Sequence, residues 1–142
     1  MSESTTDDWH RPLHHTPAGT LSGATAQSPG MTRLEAVSGA TAGSERLWMG
    51  ETHVAPAGRS ADHHHGESET AIYVVSGHPR FVFLEDGRER AIETGPGDYV
   101  YVPPFVPHRE ENPSPDEAAV VVIARTTQDA IVVNLADLTG RV

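Results

Sequence analysis

His63-His64-His65, read together with Val102-Pro103-Pro104-Phe105-Val106-Pro107-His108, decides how this chain folds. Side chains alternate along a β-strand with period two, so His63 and His65 share a face while His64 points away. Two imidazoles on one face of a strand can grip one metal ion, and a third from a later strand closes the site. The prolines ahead of His108 fix the backbone that presents it. A divalent metal inside a β-barrel is therefore the first expectation.

The totals narrow the field. At 142 residues the chain fits one domain with a real core. It has no cysteine, which excludes disulfides, thiolate zinc sites and cysteine nucleophiles and suits a cytoplasmic protein. A formal net charge of -10 argues against nucleic acid as a partner, because phosphates are neutralised by basic side chains. No apolar run approaches the ~20 residues needed to span a bilayer, so no membrane partner is expected. The acidic, polar start from Met1 to Asp8 is unlike a secretory signal. Nine histidines is a high number for this length, and they cluster.

Residues 1–30 are rich in Ser, Thr, Gly, Pro and Ala and are expected to form a flexible N-terminal arm, with 31–142 a single domain. Short β-rich runs follow: 34–37, 47–55, 71–75, 80–84, 90–93, 99–102, 118–125 and 130–135. Asp86-Gly87 marks a hairpin between two of them. No helix has convincing period and caps, apart from a short turn at 135–138. Many short strands at near-regular spacing predict an all-β barrel or sandwich.

Two motifs then resemble those of the cupin superfamily. The first runs Gly, five residues, His-x-His, three or four residues, Glu, six residues, Gly. Gly58 precedes His63-His64-His65 with a spacer one residue short, and Gly77 closes the motif. The second runs Gly, five residues, Pro-x-Gly, two residues, His, three residues, Asn. Gly97, Pro103, His108 and Asn112 match it at every spacing, with Phe105 where the family has Gly. The resemblance implies a jelly-roll β-barrel (a double-stranded β-helix) with a bound metal. The family's ligand glutamate falls on Thr70, and Glu69 sits one place earlier, a step that turns a strand side chain to the other face. Glu69 coordinates only if a bulge or the shorter spacer brings it in.

His53 is the other source of a fourth ligand. Read back from Gly58, the strand 47–55 sends Met49, Glu51, His53 and Ala55 inward, and an inward His needs a partner. The expected ligand set is His53, His63, His65 and His108, the alternative being a His53 hydrogen-bonded to a carbonyl or solvent. Glu51 is the candidate general base, with a salt-bridged or solvent-facing role as its alternative. Imidazole ligands favour zinc, with iron, nickel and manganese behind it. The run Arg109-Glu110-Glu111 reads as a solvated rim.

Such a metal in a largely apolar barrel polarises a carbonyl or acidifies a water. Among single-domain cupins with His-heavy sites, the chain resembles the aromatic polyketide cyclases of the resistomycin type. That resemblance implies aldol condensation and dehydration of a small hydrophobic poly-β-keto substrate. A quercetinase-type dioxygenase and a non-catalytic ligand-binding cupin are the alternatives. Cupins commonly pair through exchanged strands or arms, so a homodimer is expected.

Overall fold

The computed structural model describes residues 9–140, so residues 1–8 of the expected arm, and residues 141–142, lie outside the described residues. Among the described residues, ten strands form two antiparallel five-stranded sheets. The first contains β1 (Met31–Val37), β2 (Trp48–Val54), β9 (Ala119–Arg125), β4 (Thr70–Ser76) and β7 (Tyr99–Val102), in that spatial order. The second contains β10 (Val133–Asn134), β3 (His63–His64), β8 (His108–Glu111), β5 (Arg80–Glu85) and β6 (Arg88–Glu93). Among the described residues no helix is long and apolar enough to cross a membrane.

Burial along β4 and β9 alternates as the period-two reading requires. Ile72, Val74 and Val121 point inward and pack with Phe81 and Val102 into one cluster, with Met31, Val54 and Ala119 forming a second. Two of the turn signals translate directly. Asp86 and Gly87 both take positive φ, 53° and 76°, which is the geometry that joins β5 to β6. At Gly77 (φ 81°) a Cβ would sit 2.8 Å from Ala119 Cα, so β4 passes β9 more closely than any side chain allows.

Asn112 ties the barrel's turns together. Its Nδ2 donates to the carbonyls of Val54, Ala55 and Glu117 at 3.3, 3.2 and 2.7 Å, and its Oδ1 accepts from Ser114 N at 3.2 Å.

Two expectations are corrected. A four-residue helix, α1 (Gly39–Ala42), is present; it is held by a reciprocal Ser38–Thr41 capping box that a search for long periodic segments passes over. The phase of β2 is also reversed. Trp48, Gly50, Thr52 and Val54 face inward, and Met49, Glu51 and His53 face outward. Burying the indole of Trp48 and the isopropyl of Val54 gains roughly 1.5–3 kcal/mol each, whereas burying Glu51 and His53 costs. Gly50 leaves the space that the Trp48 ring fills, since a Cβ there would meet Trp48 Cη2 at 2.7 Å.

The segment preceding β1 is not detached from the barrel. Ser22 bridges Glu35 on β1, Ser28 bridges Met31, and residues 26–29 form part of the wall of an internal cavity.

Candidate metal centre

Strand pairing sets His63 on β3 directly opposite His108 on β8. His65 follows two residues after His63 on the same face, and its neighbour Gly66 turns the chain with φ 56°. The three imidazoles converge: ring centroids lie 4.8 Å apart for His63–His65, 4.5 Å for His63–His108 and 5.0 Å for His65–His108. Each offers one nitrogen, all within 4.8 Å of one another. His64 turns away as expected, and its Nδ1 accepts from Gly66 N at 2.9 Å.

The second ring nitrogens show that this is a prepared donor set. Nδ1 of His63, His65 and His108 faces the carbonyls of Ala61, Ile131 and Val106 at 2.6, 2.8 and 2.9 Å. A carbonyl only accepts, so each Nδ1 carries the proton and each Nε2 presents a lone pair. That is the arrangement in which metal-binding histidines are oriented. Burial keeps all three rings neutral, lowering the pKa of His63 and bringing those of His65 and His108 down to about 4 and about 3. Three neutral imidazoles with inward Nε2 edges fit a divalent metal.

The remaining site residues fall elsewhere. His53 does not join the cluster: its Nε2 lies 3.0 Å from Glu51 Oε1, and both side chains are more than one-third exposed. Glu51, expected as a base, is thus an outer-face partner of His53, because both follow the reversed phase of β2. Glu69 is exposed and accepts from the Tyr101 hydroxyl at 2.8 Å on the outside of the barrel. Thr70, buried, faces the cavity in its place. The register irregularity in β4 falls between Val74 and Ser76 and does not bring Glu69 inward, so the one-residue step leaves the carboxylate outside.

Glu110 was missed. Instead of lying on a solvated rim it shares the inner face of β8 with His108, two residues along, and is 8% exposed. Its Oε2 has no hydrogen-bond partner, and burial pushes its carboxyl up to about 7. The signal was available: period two from an inward His108 puts Glu110 inward and Arg109 and Glu111 outward.

The cluster opens on a cavity of about 650 Å³, within the range of small-molecule sites. Its wall combines apolar and polar side chains. Met31, Ile72, Ile123, Ile131 and Val132 supply the apolar part, while Arg33, Thr52, Ser68, Thr70, Glu110 and Arg125 supply polar groups. Thr52 Oγ1 is a second buried polar atom without a partner. Phe105, which replaces the family's glycine, has φ 64° and 61% of its surface exposed, and its ring centroid lies 5.7 Å from that of His64.

A family model described as Cupin domain matches residues 50–124. No curated protein matches the chain. Among solved structures, an S161A mutant of Bacillus subtilis oxalate decarboxylase aligns at TM-score 0.65 and 25% identity, over 78% of this chain and 29% of that one. A second oxalate decarboxylase structure, from work on its substrate binding mode and a reaction specificity switch, gives 0.66 and 28%, over 78% and 30%. A recombinant oxalate oxidase in complex with glycolate aligns at 0.65 and 19%, over 79% and 58%, a likeness of fold. The chain therefore spans about three tenths of the oxalate decarboxylases it matches.

Proposed function

The chain belongs to the cupin family, and from that premise we propose that it is a metal-dependent enzyme acting on an enolisable carbonyl compound. His63, His65 and His108 would hold a divalent ion, zinc in the first instance. In its most specific form the proposal is the sequence-based one, aldol condensation and dehydration of a poly-β-keto chain. One observation carries it: three Nε2 lone pairs aimed at one point, each fixed by a main-chain carbonyl behind it.

A bound divalent ion supplies Lewis-acid polarisation of a carbonyl oxygen. The chain's own residues supply the rest. Ile72, Ile123, Ile131 and Val132 exclude water from one side of the substrate. The hydroxyl of Thr52, unpartnered, is free to donate to a substrate oxygen. Glu110 is the carboxyl on the cavity wall, and its unpaired Oε2 is positioned to hydrogen-bond a substrate hydroxyl or enol. His63, His65 and His108 are neutral donors with no carboxylate among them, so a divalent ion held there would keep its full double charge, which favours electrophilic catalysis.

The test is metal analysis of untagged protein, followed by turnover of a poly-β-keto analogue before chelation, after it, and after zinc is restored. Loss on chelation and recovery with zinc are expected. Protein that neither carries nor takes up a metal sinks the proposal.

A second reading is redox chemistry. It is favoured by one relative in particular: Mn(II) centres are described for the Bacillus subtilis oxalate decarboxylase, to which this chain is 25% identical over 78% of its length. Oxygen uptake by manganese- or iron-loaded protein, against none with zinc, distinguishes the two.

A further inference from the structure

We propose that Arg33 and Arg125 form a carboxylate-binding pole in the cavity, so that the enolisable carbonyl substrate also bears a carboxylate, held there while its carbonyl end faces His63, His65 and His108. The inference rests on the cavity being the substrate site, as proposed above.

The charge distribution is the first ground. Acidic residues outnumber basic ones by 20 to 10 in the whole chain. On the cavity wall the ratio inverts: Arg33, Arg59 and Arg125 stand against a lone carboxyl, Glu110. The strand registers put two of these cations there deliberately. Arg33 is two residues from inward Met31 and pairs with inward Thr52. Arg125 continues the inward row Ala119, Val121, Ile123 and lies opposite both Trp48 and Thr70.

How the two side chains are held is the second ground. Arg125 donates from Nε to Thr127 O at 2.9 Å and from Nη2 to Gln128 O at 2.8 Å, with its guanidinium 3.9 Å above the Trp48 ring. Arg33 donates from Nη1 to Ser28 Oγ at 2.6 Å and to Ala26 O at 3.5 Å, and its Nη2 reaches only Met31 Sδ at 4.0 Å. These partners are neutral: they fix the guanidinium planes and leave the charge uncompensated. Neither arginine makes an ion pair among the described residues. Glu110 acts on Arg33, and Glu35 and Asp129 act on Arg125, only from beyond ion-pair distance. Glu35 is already engaged, accepting from Trp48 Nε1 at 2.7 Å.

The third ground is the cost of leaving this unanswered. The two guanidiniums repel each other, and both bear on neutral His65. Partly buried like charges are tolerated where a ligand of opposite charge completes them. A planar fork with unused N–H groups matches a carboxylate. A divalent ion at the histidines would raise the positive potential further, so an anion fits the loaded site as well.

Calorimetric titration with malonate tests the assignment, with malonamide as its uncharged counterpart, on untagged full-length protein both chelated and zinc-loaded. Malonate is expected to bind both forms, and malonamide at least about tenfold more weakly. Arg33→Met and Arg125→Met should each weaken malonate binding to the chelated protein by about tenfold or more. Zinc content should not change. Should a methionine variant not fold, Arg33→Lys and Arg125→Lys keep the charge and lose the fork, and a several-fold weakening is expected of them. Malonate affinity indifferent to these substitutions, or equalled by malonamide, overturns the assignment. If the chelated protein binds malonate through both arginines yet no metal is ever retained, the carboxylate pole stands and the enzymatic reading falls. If metal is retained but malonate ignores the arginines, the reverse holds.

Discussion

Arginines on the two faces of the barrel wall are treated in opposite ways. On the outer face of the second sheet, Arg109 donates to Glu111 at 2.6 Å, Glu89 at 3.0 Å and Asp62 at 3.3 Å, and Glu111 also accepts from Arg80 at 2.9 Å. These neighbours push Arg109 up and pull Glu111 down, so both charges are reinforced. Inside, Arg33 and Arg125 are steadied by carbonyls and hydroxyls and are pulled down chiefly by burial. Outside, charge closes upon itself and serves the fold. Inside, no ion pair answers the charge among the described residues, which is the arrangement the proposed carboxylate pole requires.

The largest expected effect comes from breaking the inner pole at its histidines. His108→Ala removes one of three donors and should lower metal retention at least about tenfold, read by metal analysis after dialysis. Next is Glu110→Gln, which keeps the shape and removes the unpaired charge. The native carboxyl titrates at about 7 when folded against 4.5 when unfolded, so the folded state binds the extra proton between those values. Native stability therefore falls as pH rises through that window. In metal-free protein the glutamine variant should be more stable by about 2–3 kcal/mol at pH 8, with no gain below pH 4.5, measured by denaturant unfolding at both. Arg109→Leu should cost about 1–2 kcal/mol, shrinking in high salt, whereas Arg33→Met should cost less because it breaks no ion pair. A larger loss at Arg33 than at Arg109 would contradict the contrast. The smallest effect is Phe105→Gly, which relieves a positive φ on a mostly exposed ring and should stabilise by up to about 1 kcal/mol in thermal unfolding.

Much of this was legible in the chain. His108 and Asn112 keep the cupin spacing, and both do structural work that a spacing argument captures: one pairs with His63, and the other stitches three carbonyls. The doubt over Glu69 was also legible, since one residue of displacement reverses a strand side chain. The phase of β2 was misread because it was counted across a turn at Pro56-Ala57-Gly58, where Ala57 itself has φ 60° and alternation is lost. Counting within the strand, from Trp48 and Val54, gives the right answer by hydrophobicity alone. Arg33 and Arg125 were hidden for a different reason. A hydropathy pattern assigns charged residues to the surface, and a ligand cavity is the place where that assumption fails.

The stack of Arg125 on Trp48 gives the protein a built-in optical gauge. Indole emission responds to the charge and polarity beside the ring, so an acid arriving at Arg125 should alter the glow of Trp48 without any label. The other tryptophan, Trp9, is 91% exposed and is not part of the cavity lining. Replacing Trp9 with phenylalanine leaves a single indole, beneath the arginine, and candidate acids can then be screened by its emission under selective excitation.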